Sequence, residues 1–164
     1  MKKESLVFDL KKNYLNMIEK SVGSSLYQND WFINSKGESI DLCQNGRFSC
    51  AYFVSVVLHR FNLIDTIYVN VDSLERALRN CGWVLEEDPQ GTENRGPVVI
   101  WEPRLGRDSK MHRHMGFWMG YGTCVSNDPE GNTPILHDPF FRDGFFDYDF
   151  RPIEKIYTHP LLIS

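Results

Sequence analysis

The 164-residue chain carries 18 Lys and Arg against 22 Asp and Glu, a formal charge of −4, with 24% charged and 41% hydrophobic residues. Such a length suits one domain with a buried core, and this composition excludes general disorder. With an acidic balance and no sustained Lys/Arg stripe, a protein built to hold nucleic acid is disfavoured.

Met1-Lys2-Lys3 could open a signal peptide, but the apolar run Leu6-Val7-Phe8 is broken by Asp9 and Lys11-Lys12. That run is too short for a secretory core, and no later stretch reaches the length of a membrane span. Cys43, Cys50, Cys81 and Cys124 form no C-x-x-C pair and no zinc-type spacing. The expectation is therefore a cytoplasmic protein with reduced thiols, no metal and no cofactor.

Residues 4–22 read as an amphipathic helix, with Val7, Leu10, Tyr14, Met17, Ile18 and Ser21 at helical spacing and Gly23 as the stop. Residues 23–48, rich in Gly, Ser, Asn and Asp, read as irregular and anchored by Tyr27, Trp31 and Phe32. A second helix starts at Ser49 or Cys50, with Ser49 as cap and Phe53, Val54, Val57, Leu58 and Phe61 as its apolar stripe. A third is bounded by Asp72, three residues before Glu75, and by Gly82, with Leu74, Ala77, Leu78 and Cys81 on one face.

Beyond Gly82 the pattern alternates. Residues 98–101, 115–119, 123–126, 135–137 and 153–157 are short strand candidates, and Gly120-Tyr121-Gly122 marks a hairpin. Residues 103–113 read as a mobile polar loop. Helices first and an antiparallel meander second predict a single α+β domain over 1–164, with its N-terminal helix in 1–22.

Cys50 stands out because it falls in the first turn of a helix. Unpaired N–H groups and the helix dipole there favour a thiolate and predict a pKa of roughly 3.5–7.5; the alternative is a small buried hydrophobe. His114 is the best base, with Gly116 and Trp118 sharing its face and Met115, Phe117 and Met119 opposite. Gly116 on that face predicts room for a substrate or a facing helix. A metal pair with His112 lacks further ligands at suitable spacing. The next strand offers a group to orient the imidazole, and Asn127 is preferred over Ser126 for its amide carbonyl. His59 reads as surface or structural, His159 as structural, and His137 as a packing residue that could also reach a cleft wall. Phe140, Phe141, Phe145, Phe146, Tyr148 and Phe150 form a binding lip or cover a sheet.

Three segments carry a resemblance. Ser49-Cys50-Ala51-Tyr52-Phe53-Val54 resembles the nucleophile helix of NlpC-type papain-like cysteine peptidases, which usually reads Asp-Cys-Ser-Gly-Phe-Val. Gly96-Pro97-Val98-Val99-Ile100-Trp101 is similar to their Pro-Gly-Asp-Leu strand. His114-Met115-Gly116-Phe117-Trp118-Met119-Gly120 resembles their His-Val-Gly-Ile-Tyr strand. The family's third polar residue lies about a dozen positions past the base, which reaches Ser126 or, one further, Asn127. The likeness covers roughly 40–137, the implied catalytic core; Ser49, Ala51 and Tyr52 depart from the motif.

The resemblance implies a papain-like fold with N-terminal helices packed on an antiparallel sheet, and a hydrolase that cleaves an amide bond through Cys50 and His114. The implied substrate is a peptidoglycan stem peptide or related γ-linked peptide, so the expected partner is a peptide or muropeptide. Delivery by lysis or a specialised secretion route would bring such an enzyme to a cell wall. Asn45 (as an oxyanion donor), Tyr52, Trp118 and His137 complete the candidate substrate-binding set. An acyltransferase or deamidase using the same pair, a catalytically silent peptide-binding module, and a structural or immunity protein remain alternatives.

Overall fold

A computed structural model describes residues 5–87, 94–106, 108–128, 130–142 and 150–163. Helix α1 (Leu10–Ser21) is followed by a hairpin of β1 (Trp31–Ile33) and β2 (Ser39–Asp41), then α2 (Cys50–Arg60) and α3 (Val71–Asn80). Strands β3 (Val84–Leu85), β4 (Val98–Leu105), β5 (Met111–Gly120), β6 (Thr123–Asn127), β7 (Pro134–His137) and β8 (Ile153–Thr158) form one antiparallel sheet in the order β3-β8-β4-β5-β6-β7. The chain is thus α+β.

Strand alternation divides the core in two. Val98, Ile100, Met115, Phe117, Met119, Val125 and Tyr157 face the helices, where they meet Tyr14, Ile18, Phe53, Val54, Val57, Leu58, Leu74 and Leu78. Val99, Trp101, Trp118, Cys124 and Ile156 face the other way, against Phe141. Phe141 is the part of the aromatic run that packs on the sheet, while Phe140 and Phe150 stack on each other. Phe145, Phe146 and Tyr148 lie outside the described residues.

Several local expectations give way. α1 begins at Leu10 rather than near residue 4, because the Asp9 carboxylate accepts the Lys12 N–H and caps it there. Val7, assigned to its apolar face, is 90% exposed. The stretch read as irregular contains the β1–β2 hairpin, closed by Asn34, whose side-chain oxygen accepts the Lys36 and Glu38 N–H groups. α3 is capped by Asn70 rather than Asp72, its side chain accepting the Ser73 N–H. The expected loop over 103–113 is mostly strand. β4 runs to Leu105 and β5 starts at Met111, and Gly106 closes the turn with its N–H on the Lys110 carbonyl. This end of the hairpin has exposed positions, so its sequence carries no burial alternation to read. Among the described residues, no helix is long and apolar enough to cross a membrane.

Glu75 ties the third helix to the sheet. Its carboxylate accepts from Lys155 Nζ at 2.9 Å, Tyr157 Oη at 2.8 Å and Arg113 Nη1 at 2.7 Å, and from Arg79 on its own helix. Burial alone would raise its pKa, but these donors win and hold it well below the usual carboxylate range. A folded-state pKa below the unfolded one contributes stability in full above the ordinary value of 4.5, and that contribution disappears as pH falls toward the depressed value. Glu75→Ala leaves part of the cationic cluster uncompensated and is predicted to lower the unfolding free energy by about 3 kcal/mol in urea titrations at pH 7. The same titrations below pH 4.5 should show the gap between wild type and variant narrowing.

Candidate functional site

The N-terminus of α2 opens into a cavity of about 940 Å³ lined by Cys50, Ala51, Phe48, His112, His114, Asn127 and Arg151, among others. Cys50 reaches it because Ser49 ends the preceding loop in a non-helical conformation and α2 starts at the next residue. Ser49 does not cap the helix with its side chain; its hydroxyl donates to the Gly46 carbonyl at 3.1 Å. That carbonyl also accepts Asn127 Nδ2 at 2.7 Å, which pins the loop before Cys50 to β6. Gly46 has φ +90, and a Cβ there would come within 2.5 Å of the Asn132 carbonyl oxygen, so only glycine suits the contact.

His114 sits on β5 opposite Trp101, next to the register shift that breaks β4 between Trp101 and Arg104. It is buried, yet it is among the residues that line the same cavity as Cys50. The two groups thus share a cavity wall, although among the described residues no hydrogen bond joins the sulfur to the ring. The backbone N–H of Met115, the residue after His114, donates toward the Cys50 sulfur.

The electrostatics run against the expected Cys50 thiolate. Burial pushes the Cys50 thiol up, and this outweighs the N–H groups of Met115, Ala51 and Cys50 and the nearby Arg151 charge, all of which favour thiolate. Burial also drives His114 well below its ordinary value, reinforced by Arg151 and His137. Both shifts favour the uncharged forms, thiol and imidazole. The helix N-terminus is present, but desolvation exceeds its contribution. Cys43, also buried and close to Asp30 and Asp41, is pushed up to about 12.

Ser126, not Asn127, meets the imidazole: its Oγ lies 2.8 Å from His114 Nε2. The face decides between them. Ser126 pairs with Gly116 in the β5–β6 register and shares the His114 side of the sheet, whereas Asn127 points the other way and bonds to Gly46. Asn127 Oδ1 is buried with no partner among the described residues. Gly116 does not make room for a substrate or helix. A Cβ there would lie 2.4 Å from the Val125 carbonyl oxygen and 2.6 Å from Ser126 Cβ, so the glycine lets β6 approach and Ser126 reach diagonally to His114.

The four candidate substrate-binding residues lie outside the cavity lining. Asn45 is exposed, with its N–H on Asp41 Oδ2, and Tyr52 lies toward Asp30 and Cys43. Trp118 is buried in the core on the far face. His137 is buried behind Ser126, 2.8 Å from its Oγ. Of the other histidines, His112 holds Asp108 at the cavity rim and packs on Phe48, His59 is exposed, and His159 bonds the Cys81 carbonyl. Among the described residues, no grouping of three or more His, Cys, Asp or Glu could hold a metal ion.

The reading of the sequence missed Arg151. Its guanidinium is buried, donates to the Glu102 and His112 carbonyls, and biases both Cys50 and His114. No local pattern announces it, since both partners lie about 40 or more residues away. No protein-family model matches the chain, and neither does any curated protein.

Gly116→Ala forces β5 and β6 apart and is predicted to cost about 2 kcal/mol or more of stability, in the range of overpacked cores. The expected signature is a lowered thermal midpoint; an unchanged midpoint would mean the close approach at Gly116 is not needed.

Proposed function

We propose that this chain is a cysteine hydrolase of NlpC-type papain-like fold that acts on an amide bond. The observation that carries the reading is the cavity shared by a helix-N-terminal cysteine and a strand histidine, with Ser126 hydrogen-bonded to that histidine. In this mechanism His114 takes the proton from Cys50 as the sulfur attacks the carbonyl, so charge separates only during reaction. The imidazolium then protonates the leaving amine, and water releases the acyl-enzyme. The N–H groups of Cys50 and Ala51 at the start of α2 are suited to hold the oxyanion. Asn45 has no part in this scheme.

The choice of a peptidoglycan stem peptide or muropeptide as substrate rests on the likeness of the three motifs alone. The same cysteine–histidine pair would serve an acyltransferase or deamidase. The lack of a direct sulfur–imidazole hydrogen bond among the described residues, with burial favouring the uncharged form of each group, supports a second reading in which the cavity binds a peptide without turning it over.

Labelling with a thiol-directed electrophile at neutral pH separates the two. A hydrolase should show Cys50 alkylated at least tenfold faster than Cys43, Cys81 or Cys124, with the advantage removed in His114→Ala, because base assistance contributes about 10²–10⁴-fold to such reactions. Slow labelling at all four sites, indifferent to His114, would leave the binding module. Mass analysis of muropeptides incubated with wild type and Cys50→Ala then tests the substrate.

A further inference from the structure

We infer that His137 is a positioning residue that fixes the tautomer of His114 through Ser126, leaving the His114 lone pair on Nδ1. This deepens the hydrolase reading and rests on it for its catalytic meaning. The chain of contacts is short and buried: His114 Nε2 to Ser126 Oγ at 2.8 Å, Ser126 Oγ to His137 Nε2 at 2.8 Å, and His137 Nδ1 to the Asp138 carbonyl at 2.8 Å.

With His137 neutral, the Asp138 carbonyl sets the direction of every proton along this chain. A carbonyl oxygen only accepts, so His137 Nδ1 carries hydrogen. In a neutral imidazole Nε2 is then the acceptor, and the Ser126 hydroxyl donates to it. The hydroxyl has one hydrogen, so toward His114 its oxygen accepts, and His114 Nε2 is the protonated nitrogen. The lone pair of His114 is thereby confined to Nδ1, which has no protein partner among the described residues. That nitrogen is the one available to take a proton from a group in the cavity. Ser126 alone could not do this, because a hydroxyl donates or accepts equally well and would hold either tautomer.

The surroundings fix the relay in place. Phe141 stacks on His137 at 4.3 Å and 16°, and Trp101 lies within 5.3 Å of the His114 ring and 5.6 Å of the His137 ring. Trp101 is itself anchored by its indole N–H on the Pro139 carbonyl. Phe141 adopts φ +60, a conformation that bulky residues rarely take, and is fully buried. Local strain is accepted where it seats an aromatic ring on the imidazole.

Nitrogen-15 NMR of histidine-labelled protein, at a pH where both rings are neutral, reads the tautomers directly. The expected result is opposite forms in one molecule, with His114 protonated on Nε2 and His137 on Nδ1. A His114 ring protonated on Nδ1 in the wild type would overturn the inference, whatever the variants do. His137→Phe keeps an aromatic shape against Phe141 and frees the Ser126 hydroxyl to turn; His114 should then show a mixture of tautomers. Cys50 labelling should fall about tenfold in that variant, on the scale of one lost hydrogen bond. Unmixed Nε2–H in folded His137→Phe would assign the tautomer to something other than His137 and reject the proposal. Equal, slow cysteine labelling in a wild type with the expected tautomers would support the relay while removing the hydrolase.

Discussion

The contact between β5 and β6 at Gly116 and Ser126 governs the arrangement of the candidate site. Directly opposed residues normally hold their Cβ atoms about 4.5–5.5 Å apart, but a Cβ at Gly116 would lie only 2.6 Å from that of Ser126, so the glycine permits the approach. Only that approach allows a short serine side chain to cross diagonally and meet His114 at 2.8 Å. From there the contacts run to His137 and the Asp138 backbone, and outward to Trp101 and Phe141, which close the far face of the sheet. The same strand carries Met115 on its opposite side, with its N–H favouring thiolate at Cys50 and its side chain in the helix-facing core. One strand thus couples two cores and both candidate reactive groups.

Electrostatics divide the molecule into two regimes. Around Glu75 the charges are many and mutually satisfied, so a buried carboxylate stays ionised and cross-links α3, β5 and β8. Around Cys50 and His114 desolvation dominates, pushing the thiol up and the imidazole down beside the buried Arg151 cation. A neutral pair is suited to chemistry in which charge appears only as substrate displaces water, and equally to a quiet binding cavity. Reactivity of the sulfur is what distinguishes them, since both assignments use the same walls.

Much of the site's ingredients was visible in one dimension. Cys50 opens a helix whose apolar stripe is regular, and His114 lies in a strand whose alternation assigns Met115, Phe117 and Met119 to the core. Both are local signals and both are where the pattern put them. Asn127 was preferred over Ser126 on chemical grounds, yet a one-residue difference on a strand reverses the face. That reversal sends Asn127 to Gly46 and Ser126 to His114. Arg151 and the buried role of His137 were hidden because each depends on segments far apart in the chain that the sheet brings together.

The sequence by itself determined the α+β class, the helix that presents Cys50 and the antiparallel strands that follow, because hydrophobic period, capping residues and glycine stops are local properties of the chain. Tertiary structure alone decided which side chain holds the imidazole, that burial pushes the thiol up and the imidazole down, and that strand reaches Leu105 and resumes at Met111 within the polar stretch. Those outcomes depend on register, burial and dielectric, which exist only once distant segments have packed together.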